Sequence, residues 1–295
     1  MRNKRVCYYS ISGKLTCEKV ESFTLLKFLY QNFLGRFLRY LFNNKYIAIV
    51  YSYYQKSSLS KRKIKSFIKK HEIDSNEFLK DVSEFSSFND FFIRKLKPNT
   101  REIAAGENIF ISPTDSKLLI LQELKMNSQF FIKNQNFNLK YFLQNDNLAE
   151  EYQNCLMMIF RLAPYDYHRF HFPIDCLPKK PKNINGILES VNPIVYRAGI
   201  QPLIENKRDL IVLEKTHLGK ILFVVVGAMF VGKIVYTSFF NQENQKGDEI
   251  GYFEFGGSSI VVLIKKGLLK PKEVFVNNSM QGLETEVKMG QQINY

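Results

Sequence analysis

Apolar residues follow two different spacings along this 295-residue chain, and the change comes near residue 100. Before it, apolar positions recur at helical intervals, most clearly over residues 23–42. The apolar side of that predicted helix consists of Leu26, Tyr30, Phe33, Phe37 and Leu41. Its polar side consists of Asn32, Arg36, Arg39 and Asn43. The first part of the chain is therefore predicted to be mostly helical, with one amphipathic helix.

After residue 100 the apolar residues instead form short runs, rich in β-branched side chains and separated by Gly, Pro, Asn and Asp. These runs are residues 109–111, 118–121, 156–160, 221–226, 234–236 and 260–264. The pattern predicts an α+β fold with a β-rich, mostly antiparallel domain over residues 81–295. A helical N-terminal segment, residues 1–80, is expected to pack on that domain.

The charge of the chain narrows the choice of partner. A formal charge of +14 favours a polyanion, either nucleic acid or an anionic lipid surface. Between Lys56 and Lys70 no acidic residue interrupts a basic run made of Lys61, Arg62, Lys63, Lys65, Lys69 and Lys70. A basic run beside an amphipathic helix is typical of a membrane interface rather than of a nucleic-acid groove. The alternative is that the apolar side of the helix simply packs on the domain.

Two further features bear on where the protein lies in the cell. Charged residues interrupt the apolar stretch before it reaches the roughly 18 residues of a membrane span, and no signal-peptide cleavage site precedes it. The cysteines have no C-x-x-C spacing and are predicted to be reduced thiols in a cytosolic compartment: Cys7, Cys17, Cys155 and Cys176. Together these features predict a peripheral protein on the cytoplasmic face of the cell membrane.

Candidate chemistry is concentrated in one histidine-containing stretch. His168 and His171 follow the apolar run 156–160 and are three residues apart, so both can reach one small site. No third ligand with metal-site spacing accompanies them, so no metal is predicted. Two proton-transfer roles suit imidazoles better, because their pKa lies near physiological pH. The alternative is a pair of polar histidines in a surface turn.

Two other segments complete the set of candidates. Gly256 and Gly257 precede Ser258 between two apolar runs, and a Gly-Gly pair leaves the Gly257 carbonyl open to attack by the next hydroxyl. By itself this segment also suits a plain hairpin or bulge. Asp115 follows a short apolar run in a turn, and beside a histidine and a serine it is a candidate for orienting the imidazole.

Taken together, these segments resemble the phosphatidylserine decarboxylase family. The similar stretches, in family order, are FNDFFIRKLKP (88–98), SPTDS (112–116), RLAPYDYHRFH (161–171), Gly186 with SVNP (190–193), ENKR (205–208), VGA (226–228) with VG (231–232), KGDEIGYF (246–253) and GGSS (256–259). The combination of Tyr-His-Arg-Phe-His with a late Gly-Ser is highly specific for that family. The similarity is weaker in the N-terminal helices.

The resemblance implies a proenzyme that cleaves itself between Gly257 and Ser258. The products would be a β chain of residues 1–257 and an α chain of residues 258–295. Ser258 would become a pyruvoyl group, the only cofactor, which would form a Schiff base with phosphatidylserine. Release of CO₂ would leave phosphatidylethanolamine, so the implied activity is that of a pyruvoyl-dependent carboxy-lyase of phospholipid biosynthesis.

The resemblance also implies a role for each polar residue. Asp115, His171 and Ser258 match the self-processing triad, in which Asp115 would orient His171 and His171 would take the Ser258 proton. His168 matches the histidine that manages the proton in decarboxylation. A protonated His171 cannot accept a proton, so processing is predicted to slow below about pH 6.5 unless its pKa is shifted.

Three positions depart from the family pattern. Ser116 stands where glycine is usual, so a positive φ at that position would cost energy. Lys233 replaces a small residue and would alter the polar surroundings of the substrate. Ser259 stands where threonine is commoner and keeps a hydroxyl. None of the three removes a proposed catalytic group.

The sequence therefore predicts a decarboxylase that works on phosphatidylserine at an anionic membrane surface and binds no nucleic acid. Two other classes of protein stay open: a lipid-binding relative that has lost processing, and a basic nucleic-acid-binding protein. Intact Asp115, His168, His171 and Ser258 argue against the first, and the position of the basic run argues against the second. The sequence leaves the oligomeric state undecided, a homodimer included.

Overall fold

The computed structural model of the chain describes residues 6–18, 23–42, 45–124, 127–129, 136–196, 198–228, 233–255 and 258–295. In these ranges the strands are β1 Cys7–Tyr9, β2 Leu15–Cys17, β3 Ser116–Leu124, β4 Asn127–Gln129, β5 Asn136–Asn138, β6 Cys155–Leu162, β7 Arg169–His171, β8 Leu177–Pro178, β9 Lys182–Ile184, β10 Arg208–Thr216, β11 Gly219–Val226, β12 Ile234–Tyr236, β13 Glu249–Phe253, β14 Ser258–Ile264 and β15 Glu284–Val287. The α-helices are α1 Phe23–Gln31, α2 Phe33–Phe42, α3 Lys45–Lys56, α4 Ile64–His71, α5 Phe88–Phe92, α6 Leu139–Leu143, α7 Asp146–Glu151, α8 Pro193–Tyr196, α9 Pro202–Glu205 and α10 Glu273–Met280. Short 3₁₀ helices occupy Ser58–Lys63, Ser75–Glu77 and Val82–Glu84.

One large sheet organises the domain, with strand order β2-β1-β15-β3-β6-β14-β11-β10-β8 and β9 also paired to β10. Its described neighbours are antiparallel except β1 and β15, which are parallel. A smaller sheet, in the order β12-β13-β7, carries the histidine-containing strand. The α+β prediction and the mostly antiparallel sheet are therefore confirmed.

The central strands are buried on both faces, which explains why they appear in the sequence as continuous apolar runs. Every residue of β6 and β14 is buried. Alternate side chains point to opposite faces: Met158 and Val262 pack in one apolar core, whereas Met157 and Val261 pack in another. The sheet is thus a rigid layer between two cores.

Five of the six predicted apolar runs lie in strands, namely β3, β6, β11, β12 and β14. The exception is 109–111, where the strand prediction was wrong. There the Phe110 N–H binds the Asn294 side chain, the Ile111 N–H binds the Pro173 carbonyl, and Ile111 makes only an isolated bridge to Gln292. Its hydrogen bonds go to different partners, so no ladder forms.

The predicted helix 23–42 is two helices, α1 and α2, that meet at Asn32. The Asn32 side chain accepts the Leu34 N–H at 3.0 Å, as an N-cap does, and so starts a new helix. A side chain at Gly35 would collide with the Phe28 carbonyl, so the two helices fit together closely only with glycine there. The apolar residues that were predicted to lie on one side of a single helix therefore belong to two separate helices.

The two helices use their apolar residues differently. Tyr30 of α1 is fully buried and donates to Glu189 at 2.6 Å. Phe33 and Phe37 of α2 are 93% and 70% exposed. Packing on the domain accounts for α1, while α2 leaves large apolar side chains in solvent. Among the described residues, no helix is both long and apolar enough to cross a bilayer.

The first described residues are not helical, because β1 and β2 form a hairpin that extends the large sheet. In this hairpin Cys7 lies opposite Cys17, and the two form a disulfide. The prediction of reduced thiols was wrong for this pair, since the strand register brings them together and the sequence spacing does not reveal it. Cys155 and Cys176 are free thiols, as predicted, and both are buried.

Candidate active site

Ser258 begins strand β14 in the middle of the large sheet. It lies opposite Leu162, the last residue of β6, and is fully buried. The turn that carries the histidines leaves the sheet at Leu162, so it starts beside the point where Ser258 enters. The tertiary fold thereby brings together two segments almost a hundred residues apart.

His168 and His171 are buried and held in the same way. The His168 Nδ1 atom lies 2.9 Å from the Asp166 carbonyl, and the His171 Nδ1 atom lies 2.9 Å from the Gly247 carbonyl. A carbonyl can only accept, so each Nδ1 carries the proton and each Nε2 has a free lone pair. The surface-turn alternative is excluded, because the two residues are 0% and 7% exposed.

Buried polar atoms without a hydrogen-bond partner in this region include the Nε2 atoms of both histidines and the Ser258 hydroxyl oxygen. Buried polar groups are normally paired, so an unpaired set needs an explanation. A nucleophile and two basic nitrogen atoms are the groups that a reacting carbonyl or substrate would engage. Groups of these types are suited to deprotonating a hydroxyl and to moving protons.

Burial sets the charge of both imidazoles. Removal from water lowers the pKa of His168 to about 3, and the bond to the Asp166 carbonyl only partly opposes this. Burial also lowers the pKa of His171, against the opposing effects of the Gly247 carbonyl and Glu249. Both rings are therefore neutral at physiological pH, which is the form that can accept a proton.

The lowered pKa of His171 changes the predicted pH dependence of processing. With an ordinary pKa of about 6.5, only about a tenth of His171 would be neutral at pH 5.5, and cleavage would slow about tenfold. Because burial lowers the pKa, the neutral form persists as the pH falls, and we expect the rate at pH 5.5 to stay within about threefold of that at pH 7.5. Loss of the full-length band on a denaturing gel measures the rate, with circular dichroism to check that the fold persists. A tenfold loss between these pH values would contradict the expectation.

Asp115 is close to this region but binds other partners. Its carboxylate accepts from Arg101 at 2.7 Å and from the Met289 N–H at 2.9 Å, and Lys288 lies 3.5 Å away. Burial opposes its charge, yet Lys288, Arg101 and the Met289 N–H together hold its pKa below the usual range. Neither ring nitrogen of His171 binds it, since Nδ1 faces the Gly247 carbonyl. The role of Asp115 stays a prediction.

The segment before Asp115 nevertheless contacts the histidine strand directly. The Pro113 carbonyl accepts the His171 N–H at 2.9 Å. The Thr114 hydroxyl lies 3.1 Å from the Arg169 carbonyl and 3.2 Å from the Tyr167 carbonyl. Asp115 thus terminates a segment that fixes the backbone of the histidine strand. The Asp115 segment and the histidine strand are therefore close together, but the contacts between them come from Pro113 and Thr114 rather than from the Asp115 side chain.

Buried charges brace the turn that carries His168. Lys117 is fully buried and binds the Asp166 carboxylate at 2.8 Å, while the Ala163 N–H binds the other oxygen at 2.7 Å. Arg94 donates to the Asp166 carbonyl at 3.2 Å, and the same carbonyl receives His168 Nδ1. Three contacts therefore hold Asp166, and the Asp166 carbonyl in turn orients the imidazole.

Residues of helix α5 belong to the site, although no role was predicted for them. The Phe92 ring lies 3.8 Å from the His168 ring and 5.0 Å from the Phe255 ring, measured between centroids. The Asn89 side chain accepts the Phe255 N–H at 3.0 Å. The stretch 88–98 was part of the family resemblance, and that was the only signal in the sequence for this contact. Arg161, the first residue of the histidine motif, is buried and binds Glu284 at 2.6 Å and Glu18 at 3.2 Å.

The departures from the family pattern can now be located. Ser116 begins strand β3 and is absent from the described residues with positive φ, so serine carries no backbone strain there. Lys233 is exposed just before β12, and Ser259 is buried opposite Arg161. Gly257, the other half of the predicted cleavage site, lies outside the described residues, as do Gly256 and the segment 229–232. Within the described part of the chain, no group of three or more His, Cys, Asp or Glu side chains is placed to hold a metal ion.

Comparison with known proteins identifies relatives over nearly the full length. A family model described as phosphatidylserine decarboxylase matches residues 88–295. A phosphatidylserine decarboxylase proenzyme of Clostridium tetani is 42% identical over 276 residues, which is 94% of this chain and 93% of the relative. The proenzyme of Chlamydia pneumoniae is 38% identical over 96% of this chain and 94% of its own length. That of Fusobacterium nucleatum is 37% identical over 95% and 94%.

Proposed function

The chain belongs to the phosphatidylserine decarboxylase family, and from that premise we propose that Ser258 supplies its pyruvoyl group. The enzyme is a lyase that removes CO₂ from phosphatidylserine and leaves phosphatidylethanolamine. One observation carries the assignment of the residue: the buried hydroxyl of Ser258 has no hydrogen-bond partner, and the Nε2 atoms of His168 and His171 are unpaired as well. These groups suit a site in which Ser258 is first converted to a pyruvoyl group, whose carbonyl then reacts with the substrate.

Self-cleavage begins with the removal of the Ser258 proton by a base. The neutral Nε2 of His171 accepts this proton while the hydroxyl oxygen attacks the Gly257 carbonyl, so the peptide bond is replaced by an ester. The proton passes to the freed amino group of Ser258. Loss of the Ser258 α-proton then expels the Gly257 carboxylate, and water converts the resulting dehydroalanine to a pyruvoyl group with release of ammonia.

Asp115 supports this step through position and charge. It lies at the end of the segment whose Pro113 carbonyl binds the His171 N–H, so it helps to hold the strand that carries the base. Its negative charge also favours the protonated form of His171 that arises during the attack. Asp115 therefore completes the processing triad as a positioning and electrostatic group.

The pyruvoyl group made from Ser258 would supply a carbonyl for the amine of phosphatidylserine and a sink for the electron pair released with CO₂. His168 manages the proton that this carbon then receives. Its ring is held by the Asp166 carbonyl and by Phe92, so its Nε2 atom keeps a fixed position. A neutral imidazole can relay a proton from water to the carbon without a buried charge in the resting state.

The two chains of the cleaved enzyme, residues 1–257 and 258–295, stay together in this proposal. Strand β14 pairs with β6 on one side and β11 on the other, and every one of its residues is buried. The α chain would therefore remain a central part of the sheet after cleavage. We propose residues 81–295 as the catalytic domain. Of residues 1–80, the β1–β2 hairpin extends the sheet of that domain and α1 packs on it, so the membrane-facing part is α2, α3 and the basic run.

Two measurements on one purified sample test this function. Intact mass should show two chains, residues 1–257 and residues 258–295. The second chain should begin with a pyruvoyl group in place of the serine and its amino group. The same sample should convert phosphatidylserine to phosphatidylethanolamine with release of CO₂. A single chain without activity would reject the function and favour a lipid-binding relative.

We further propose that helices α2 and α3 and the adjoining basic run meet an anionic membrane surface. Six large side chains on these helices are 49–93% exposed: Phe33, Leu34, Phe37, Ile49, Val50 and Tyr53. The basic run that follows α3 is exposed as well. Apolar residues beside basic ones fit the cytoplasmic leaflet, whose anionic lipids attract them.

Charge reversal in the basic run should release the protein from anionic vesicles. Each basic residue near such a surface contributes about 1 kcal/mol, so changing Lys61, Arg62, Lys63 and Lys65 to Glu should weaken binding by roughly a hundredfold or more at moderate salt. Vesicle co-sedimentation measures this effect.

Self-cleavage of that variant should be unchanged, since its proposed chemistry lies within the sheet domain. The matched control carries the same change at four lysines outside the run and should stay bound: Lys180, Lys182, Lys207 and Lys270. If the first variant binds as well as the unmodified protein, the run is only a solvated surface.

A further inference from the structure

Helix α3 has two faces with different surroundings. On the outer face Ile49, Val50 and Tyr53 are 49%, 69% and 72% exposed. On the inner face Gln55 is buried, and Tyr51 is half-buried. The spacing of four residues between Tyr51 and Gln55 places both on one side of a helix. The outer face belongs to the proposed membrane surface, and the inner face packs on the protein.

The inner side of α3 binds the segment that leads into Ser258. Lys56 forms an ion pair with Glu254, with 2.8 Å between Nζ and Oε2. The Glu254 side chain is only 12% exposed, so this is a partly buried pair. The Tyr51 ring packs against the Phe255 ring at 5.8 Å between centroids. Two consecutive residues of the segment are thus held by one helix.

Phe255 in turn is packed tightly on the side away from α3. Its ring lies 5.3 Å from Phe88 and 5.0 Å from Phe92, and its N–H binds Asn89 at 3.0 Å. Phe92 also packs on His168. The contacts therefore run continuously from the surface helix, through Phe255, to the histidine of the site.

Helix α3 is fastened to α5 by one buried hydroxyl. The Ser60 hydroxyl lies 2.7 Å from the Ser57 carbonyl and 2.9 Å from the Gln55 carbonyl, which share its single proton, and it accepts the Phe88 N–H at 2.8 Å. Ser60 is fully buried, so water does not compete for these bonds. The helix that holds Glu254 and the helix that packs on His168 are therefore joined at fixed positions.

We propose that α3 positions the segment before Ser258 for self-cleavage, with Lys56 and Tyr51 as positioning residues. This inference rests on the proposed self-cleavage at Ser258. Two residues lie between Phe255 and Ser258, so their Cα atoms are three chain steps apart and lie within about 11 Å of each other. The intramolecular attack depends steeply on geometry, and an anchor so close to the nucleophile limits the positions that the carbonyl between them can adopt.

A charge exchange tests the pair between Lys56 and Glu254. Lys56→Glu and Glu254→Lys should each lengthen the half-time of cleavage about fivefold, as loss of a partly exposed ion pair near a reacting group implies. The double variant, which restores the pair with reversed polarity, should return to within about twofold of the unmodified rate. Lys56→Arg should also retain it, and Tyr51→Phe should retain the rate that Tyr51→Ala loses.

The rate is measured by pulse–chase in cell-free translation, without vesicles, as the full-length chain disappears. Lys69→Glu, an equal charge change on α4, is the matched control and should cleave normally. Recovery in the double variant would show that the ion pair itself, and not either side chain alone, sets the rate of cleavage. If Lys56→Glu cleaves at the unmodified rate, or the double variant stays as slow as either single one, the proposal is overturned. If the unmodified chain itself does not cleave, the proposed function fails instead.

Discussion

Replacing Ser258 with alanine is expected to leave a single, full-length chain that has no decarboxylase activity. Without the hydroxyl there is no nucleophile for the carbonyl of residue 257, and without cleavage there is no pyruvoyl group. The loss should be complete, because no other described group can become the cofactor. A denaturing gel with intact mass shows the chain state, and a lipid product assay shows the activity.

Ser259→Ala is the matched control for this variant. Ser259 is the next residue of the same strand and is equally buried, and its replacement by alanine removes the same hydroxyl group. It should cleave into two chains and remain active. Normal two-chain processing of the Ser258→Ala variant would end the proposal. An uncleaved Ser259→Ala chain would show instead that the strand tolerates no change at this point.

The second large effect is expected from substitution of the two histidines, which we propose to act in different steps. His171→Ala should remain uncleaved, because the Ser258 hydroxyl then has no base. His168→Ala should cleave yet decarboxylate about 10²–10⁴-fold more slowly, as expected for loss of a general acid or base. Gel analysis separates the first effect from the second, and activity is expressed per pyruvoyl group.

Both imidazoles are buried, neutral and bound through Nδ1, so their geometry is nearly the same. The assignment of roles therefore rests on the family resemblance, and the experiment is decisive. His168 also packs on Phe92, so His168→Gln, which fills more of the space, serves as a control for lost packing. Uncleaved His168→Ala together with cleaved His171→Ala would reverse the assignment.

Much of the fold is encoded locally and could be predicted. The strands β6, β11 and β14 are continuous apolar runs because both of their faces are buried, and such runs are visible without knowledge of the partner. The candidate residues His168, His171 and Ser258 were identified from two short motifs. In the structure these three residues are buried and carry unpaired polar atoms, which supports the same choice of candidates.

What the sequence could not indicate depends on partners far apart in the chain. The backbone N–H of Met289 binds Asp115 across 174 residues, and no spacing rule predicts that contact. The disulfide between Cys7 and Cys17 depends on strand register, which is set when the hairpin docks on β15. The predicted single helix is broken at Asn32, whose side chain caps α2. Tyr30 of α1 binds the buried Glu189, which lies far away in the sequence.

The sequence by itself determined the type of fold, the family and the candidate groups for the chemistry, since these follow from local spacing and short motifs. Only the tertiary structure decided that Gly247 rather than Asp115 fixes the His171 ring, and that α3 contacts the segment before Ser258. The physical reason is the same in each case. A hydrogen bond or ion pair requires two groups at contact distance, and for groups far apart in sequence that distance is set by the packing of the whole sheet and its helices.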